Sequence, residues 1–432
     1  GIFYFYYSYK NNLKKDIPIK KPDEAVLFVQ KQLSKQKKIV THNHKQPMIK
    51  IQNHSNCNKD LENSSPLAKT LCSPSKKLNV LLILLESFRG EDVGALGSSL
   101  KITPSFDHWA KKGILFTNFF ANGYQTRHGL VSSYCSVFPN YGAPILPHYE
   151  KNRFYCLPEA LKNRGYSTLW AYGSDASFDN QVYFIPKIGF DHMTDSDSFP
   201  KNTEKLGWGY SDEALFDLWL RELDNLPEPF FSSALTITNH HPFEVPPQFK
   251  RYGSSLAHYN GIFYSDYALG KFLSSAQKKP WYKNTLIFIT ADTSSYLESF
   301  NKPQNIEEEI RLKSRIPLLI VGGPINKSME ISDYHGQIDI APTILDLLGT
   351  SYDSPWVGRS ILDHLDEESI AFTNWPDSYW AVMSLSSRFY MLNDKEEHYY
   401  GKANQKKRAY LSKLGSSWIQ VSKWLYQENK VW

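Results

Sequence analysis

The sequence predicts an α/β protein: a mostly parallel central sheet with helices on both faces, joined to a small C-terminal antiparallel subdomain. Three observations lead there. Residues 80–85 form an unbroken apolar run, Val-Leu-Leu-Ile-Leu-Leu, ending in Glu86-Ser87, the pattern of a doubly buried strand with polar chemistry at its carboxyl end. Apolar runs and amphipathic segments then alternate as far as Ile361. Beyond it, short strand patterns follow one another with no helix between them.

In chain order, Ala25, Leu27, Phe28, Val29 and Leu33 predict a short amphipathic helix over 23–38. The stretch from there to Leu78 is rich in Lys, Asn, Ser and His without periodicity, so residues 1–77 read as a connector. Its opening, Gly1-Ile-Phe-Tyr-Phe-Tyr-Tyr7 with Lys10, Lys14 and Lys15 behind it, fits the end of a removed membrane helix or, equally, an aromatic strand. No run reaches the roughly 18 apolar residues of a full span. The main unit is expected over 78–365. It holds strands at 80–85, 114–119, 167–172, 230–238, 285–290 and 317–321, and helices at 104–112, 158–164, 211–223 and 262–275, with a helix-like segment at 130–134. Residues 366–432 are expected to form strands at 369–374, 380–384, 388–392 and 397–400, closed by an aromatic helix at 417–426.

Composition narrows the function classes. A net charge of +5 carries no basic signature of a nucleic-acid binder. Aromatic residues reach 15%, which suits broad sheet faces or work near a membrane. Cys57, Cys72, Cys135 and Cys156 show no CxxC spacing, which excludes a zinc ribbon or thioredoxin-like motif. The Cys135/Cys156 and Cys57/Cys72 pairs are each compatible with a disulfide or with free buried thiols.

Open parallel sheets gather ligands at the carboxyl ends of their strands. Three polar clusters occupy such ends: Glu86, the run Thr238-Asn239-His240-His241, and Asp292. Any one alone reads as a cap for the next helix. Taken together they bring two carboxylates into one site, and a divalent cation between Glu86 and Asp292 reconciles the charges. Thr126, at a loop-to-helix junction, is either an N-cap or a nucleophile toward phosphorus. Arg127 and His128 beside it either bind an anion or lie on the surface.

The succession Asn79 to Ser87, Thr103-Pro104, Thr126-Arg-His-Gly129, Leu157-Pro158 with Gly165-Tyr166, Ser177-Phe178-Asp179-Asn180, Thr238-Asn-His240, Thr290-Ala-Asp292, and Gln337-Ile-Asp339 through Gly349 resembles the sulfatase-like enzymes of the alkaline phosphatase superfamily. The branch it is most similar to contains lipoteichoic acid synthases and related membrane phosphoglycerol transferases. The resemblance spans about 79–365. It implies a catalytic domain on the outer, periplasmic or extracellular, side of a bacterial cytoplasmic membrane, with membrane helices ahead of it. One divalent metal, Mn²⁺ or Mg²⁺ with Zn²⁺ as a further candidate, is implied at Glu86, Thr126, Asp292 and Thr293. Thr126 would take a head group from a phospholipid such as phosphatidylglycerol, and a glycan or polyol acceptor would resolve the phospho-threonine.

Two departures stand out. Thr293 occupies the position where the family has His, replacing an imidazole by a neutral hydroxyl and disfavouring first-row transition metals relative to Mg²⁺. Asp179 and Gln181 stand where the synthases place a Trp and an Arg on the head group. His240 corresponds to a substrate-contacting histidine of the family, although a histidine bonded within the turn before Pro242 reads as naturally. A phosphoethanolamine transferase, a phosphodiesterase and a metal-deficient pseudoenzyme are the alternatives. Sulfate-ester hydrolysis is disfavoured, because no C-x-P-x-R pentapeptide occurs.

Overall fold

The structure is a computed structural model describing residues 22–34, 49–51, 77–139, 151–295, 297, 302–350, 352–362, 369–375, 379–392, 395–401 and 404–431. The aromatic opening segment, the last residues of the helix expected at 23–38, and Cys57 and Cys72 lie outside them.

The chain begins with α1 (Pro22–Ser34), whose acidic first turn and Lys31 near its end suit the helix dipole. A short strand β1 (Ile49–Ile51) precedes β2 (Asn79–Leu85), in which all seven residues are buried. Next come α2 (Pro104–Ala110), β3 (Ile114–Phe120), α3 (Thr126–Cys135) and α4 (Leu157–Lys162). Proline in the first turn starts both α2 and α4, where its missing N–H costs nothing. Then follow β4 (Ser167–Tyr172), α5 (Gln181–Lys187), β5 (His192–Thr194) and the hairpin β6 (Lys205–Leu206) and β7 (Gly209–Tyr210). Ser211 caps α6 (Asp212–Asn225) by accepting the Ala214 N–H, and β8 (Phe230–Leu235), α7 (Ala257–Ala276) and β9 (Thr285–Ala291) complete the centre. The remainder of this unit is α8 (Ile306–Ser314), β10 (Arg315–Gly322), β11 (Met329–Gly336), α9 (Ile340–Leu347) and β12 (Tyr352–Ser354).

Eight strands make the central sheet in the order β11-β3-β10-β9-β2-β8-β4-β5. Every neighbouring pair is parallel except those of β10, which runs antiparallel to β9 and β3. The predicted fold class therefore holds, with one reversed strand. Pro317 sits inside β10 where the register with β3 shifts between Ile316 and Leu318, the position in a sheet that tolerates a missing donor. Strand β8 ends earlier than predicted because Asp212 accepts the N–H groups of Ile237 and Thr238, at 3.0 and 2.9 Å, and draws the chain off the ladder.

The C-terminal part is a four-stranded antiparallel meander, β13 (Ala371–Trp375), β14 (Tyr379–Met383), β15 (Ser387–Leu392) and β16 (Glu396–Gly401), within about two residues of expectation. Its closing helix α10 (Gln405–Gln427) starts well before the predicted 417, capped by Asn404, whose side chain accepts the Lys407 N–H. Gly415 is required here: a Cβ would come within 2.2 Å of the Trp380 ring.

These parts share one core, which runs from Ala25 to Val431. A second cluster, with Phe120 and Tyr334 against Ala371 and Tyr379, joins the meander to β3 and β11. The described pieces of the connector dock as well. Phe28 meets Tyr410 with ring centroids 6.3 Å apart, Gln32 accepts the Tyr410 hydroxyl at 3.0 Å, and β1 pairs with β12. We propose that the divisions near 78 and 366 mark organisation along the chain rather than separable bodies.

Candidate active site

Glu86 is the first residue past β2, and Asp292 the first past β9. Because these strands are parallel neighbours with Leu85 opposite Ala291, the two carboxylates emerge side by side. The chain turns at Ser87 through a left-handed conformation, φ 49°, which directs its N–H at Asp292 Oδ1 at 2.8 Å. The Ser87 hydroxyl donates to Glu86 Oε1 at 2.7 Å. Thr126 opens α3, and its hydroxyl lies 3.5 Å from Glu86 Oε2. That approach is possible because Gly129 lets α3 ride over the end of β9: a Cβ there would fall 1.9 Å from the Asp292 carbonyl oxygen. The far end of α3 is tied by the Cys135–Cys156 disulfide, which closes a 21-residue separation; a loop of that size contributes roughly 3 kcal/mol.

Burial dominates the electrostatics. Glu86 is 4% exposed and Asp292 fully buried. Desolvation lifts the Glu86 carboxyl to about 7, and desolvation followed by the Glu86 charge lifts Asp292 well above the usual carboxylate range. Asp292 Oδ2 has no hydrogen-bond partner among the described residues. An orphaned carboxylate oxygen beside a second carboxylate and a hydroxyl is a donor set that fits a hard divalent cation. The fourth position differs. The Thr293 hydroxyl shares its one proton between the carbonyls of Gly123 and Ser294, at 3.2 and 3.3 Å, and its N–H donates to Asp292 Oδ1 at 2.6 Å, so it offers a cation at most a neutral hydroxyl oxygen. Among the described residues no group of three or more His, Cys, Asp or Glu forms a metal cage.

The other predicted residues divide into two sets. Arg127 is buried, donating from Nε to Gln125 Oε1 at 2.8 Å and from an Nη to Asp179 Oδ1 at 3.1 Å. Asp179 and its neighbour Asn180 both adopt left-handed backbone, φ 52° and 58°, which aims the Asp179 carboxylate at that guanidinium. Burial raises the Asp179 carboxyl and Arg127 offsets part of the rise. Gln181 is buried at the start of α5, and its Oε1 has no hydrogen-bond partner among the described residues. His128 is different in kind. Burial, then Arg127, pushes its imidazole down to about 3, and its Nδ1 accepts the Tyr124 N–H at 3.3 Å. It is a neutral packing group that holds the turn before Thr126, so it presents no charge to an anion. His240 is half-buried; its Nδ1 donates to the His241 carbonyl at 2.9 Å, leaving Nε2 as the ring's other polar atom.

Sequence reasoning did not single out Ser87, Asn239 or Tyr172 as site residues. Asn239 Nδ2 donates to the carbonyls of Glu86 and Ser87, both at 3.1 Å, locking the turn. Tyr172 ends β4, and its phenol is raised by burial and then by the charges of Glu86 and Asp292. Its place at the end of a strand parallel to β2 and β9 was the available signal.

A family model described as sulfatase matches residues 78–350. Lipoteichoic acid synthase 2 of Bacillus subtilis (strain 168) is 25% identical over 367 residues, covering 79% of this chain and 55% of that protein. Lipoteichoic acid synthase of Staphylococcus aureus (strain USA300) is 27% identical over 302 residues, 64% of this chain and 46% of its own. The chain thus spans about half the length of the curated relatives it matches. Among solved structures, a protein in the alkaline phosphatase superfamily from Vibrio parahaemolyticus superposes with a TM-score of 0.79 at 23% identity, covering 94% of this chain and 97% of that one. The lipoteichoic acid synthase LtaP from Listeria monocytogenes gives 0.66 at 21% identity, with 88% and 97% covered.

Proposed function

The chain belongs to the sulfatase family, and from that premise we propose that it transfers a phosphoglycerol-type head group from a phospholipid such as phosphatidylglycerol to a glycan or polyol acceptor. One observation carries this reading: the Thr126 hydroxyl, at a helix N-terminus, faces Glu86 beside the unpartnered oxygen of Asp292. Glu86, Asp292 and Thr126 are the residues that would hold a divalent cation, Mg²⁺ or Mn²⁺, whose chemistry when bound is to neutralise charge on phosphoryl oxygens. Thr126 Oγ1 forms a bond to phosphorus as the bond to diacylglycerol breaks, and diacylglycerol leaves carrying the threonine proton. An acceptor hydroxyl then bonds to phosphorus, the Thr126 ester breaks, and the threonine regains a proton. His240 Nε2 is the group we assign to moving those protons.

Two features support the finer reading. Asp179 Oδ1 is paired with Arg127, which offsets its charge and favours a glycerol over an ethanolamine head group. The Cys135–Cys156 disulfide suits an oxidising compartment, and we place the catalytic unit on the outer side of a bacterial cytoplasmic membrane, joined to it ahead of α1. No helix among the described residues is long and apolar enough to cross a membrane. The second reading is a metal-deficient binding protein, favoured by the neutral hydroxyl of Thr293 at the position where the family resemblance implies an imidazole. Diacylglycerol release from phosphatidylglycerol vesicles, with Mg²⁺ or Mn²⁺, tests the choice. Thr126→Ala should lower it by at least about a thousandfold. Full turnover by that variant would sink the mechanism.

A further inference from the structure

Resting on the transferase reading, we propose that Trp208, with the His240 ring beside it, is a stacking platform for a pyranose ring of the acceptor. Trp208 stands at the tip of the β6–β7 hairpin and is 53% exposed, whereas most of the described tryptophans are buried. The hairpin is not free to fold that surface away. Ser174 Oγ donates to the Trp208 carbonyl at 2.6 Å, the Tyr210 N–H to Gly173 O at 2.7 Å, and the Gly207 N–H to Glu244 Oε2 at 2.9 Å. Behind it Tyr210 stacks on Phe199, centroids 3.9 Å apart. A large aromatic carried on a fixed backbone, with only two side-chain torsions, loses little conformational entropy when something packs on it, which is how aromatic binding residues gain affinity.

Its surroundings point to the site. The His240 ring lies 4.3 Å from the Trp208 ring at 34°, and the Phe178 ring 5.8 Å away at 70°. Phe178 directly precedes Asp179, the partner of Arg127, which adjoins Thr126. His240 directly follows Asn239, which holds the backbone of Glu86 and Ser87. Both rings flanking the indole are thus one residue from groups that build the phosphoryl site. The imidazole lies over one face of the indole, and the 53% exposure of Trp208 offers the rest of its π surface to a pyranose, which has an apolar C–H face and hydroxyl edges. An open-chain polyol has no such face.

Binding can be read without turnover, by saturation-transfer NMR titration of the full chain with methyl β-D-glucopyranoside and, separately, glycerol. The sugar should bind wild type and Thr126→Ala alike. Trp208→Leu, which keeps apolar bulk without a π face, should weaken sugar binding about tenfold, and Trp208→Phe less than about threefold, with glycerol unaffected. Equal sugar affinity in wild type and Trp208→Leu, absence of sugar binding to wild type, or an equal loss for glycerol would overturn the proposal. Failure of the transferase reading would look different: no diacylglycerol release from wild type while sugar binding still depends on Trp208.

Discussion

The carboxyl edge of the central sheet and the C-terminal meander are held together by different physics. At the edge, Glu86, Thr126 and Asp292 come from three separate elements, with 40 residues between the first two and 205 between Ser87 and Asp292. Their meeting buries two carboxylates that repel and an oxygen without a partner. The meander instead pairs consecutive strands and fills its interface with rings: Phe138 packs 4.4 Å from Phe372 and 5.2 Å from Trp418, and Trp380 5.5 Å from Phe389. The meander is stabilising and its strand pairing is local, even where its rings reach back to Phe138; the site edge is costly and assembled entirely across long sequence distances. Under the proposed function a cation and a phosphoryl group would supply the missing partners and offset that cost.

The largest expected contrast comes from the aromatic side. Trp380→Ala should lower unfolding free energy by about 3–5 kcal/mol in denaturant melts while leaving divalent-cation affinity within about twofold of wild type. A change in cation affinity as large as the stability loss would break the separation between the regions. Next in size, Thr293→His adds an imidazole at the position now turned to backbone. It should tighten Mn²⁺ binding on the order of a hundredfold by calorimetry, with little gain for Mg²⁺. Equal gains for both metals would show that position 293 acts through packing.

The smallest effect concerns pH in the metal-free protein. The folded-state Glu86 carboxyl is raised from 4.5 to about 7, so its stabilising contribution is full below 4.5 and is lost as pH rises through 7. Asp292 shifts in the same direction. The melting temperature of protein stripped with a chelator should therefore fall across this window, and less steeply in Glu86→Gln. An equal slope in both would place the titration elsewhere.

Legibility in the sequence follows the same division. Strands β2 and β9 announced themselves as apolar runs because both faces are buried, and the residues at their ends pointed to the site. The meander was readable because its alternation is local. Strand β11 was not: Met329, Ile331 and Tyr334 alternate with exposed Glu330 and Ser332, and the strand exists by pairing with β3 far back in the chain. The first turn of α10, with Lys406, Lys407 and Arg408, carries no apolar residue and owes its start to the Asn404 cap. In the site, residue types were legible but partnerships were not. The burial that pushes the His128 imidazole down and the pairing of Asp179 with Arg127 across 52 residues could not be read from the chain order.

On the proposed mechanism Thr126 carries the transferred group. Peptide mapping by mass spectrometry, after brief incubation with phosphatidylglycerol vesicles and Mg²⁺ or Mn²⁺, should show a phosphoglycerol adduct on the Thr126 peptide that disappears when acceptor is added. Lipid turnover with no adduct, or with an adduct on another residue, would contradict it.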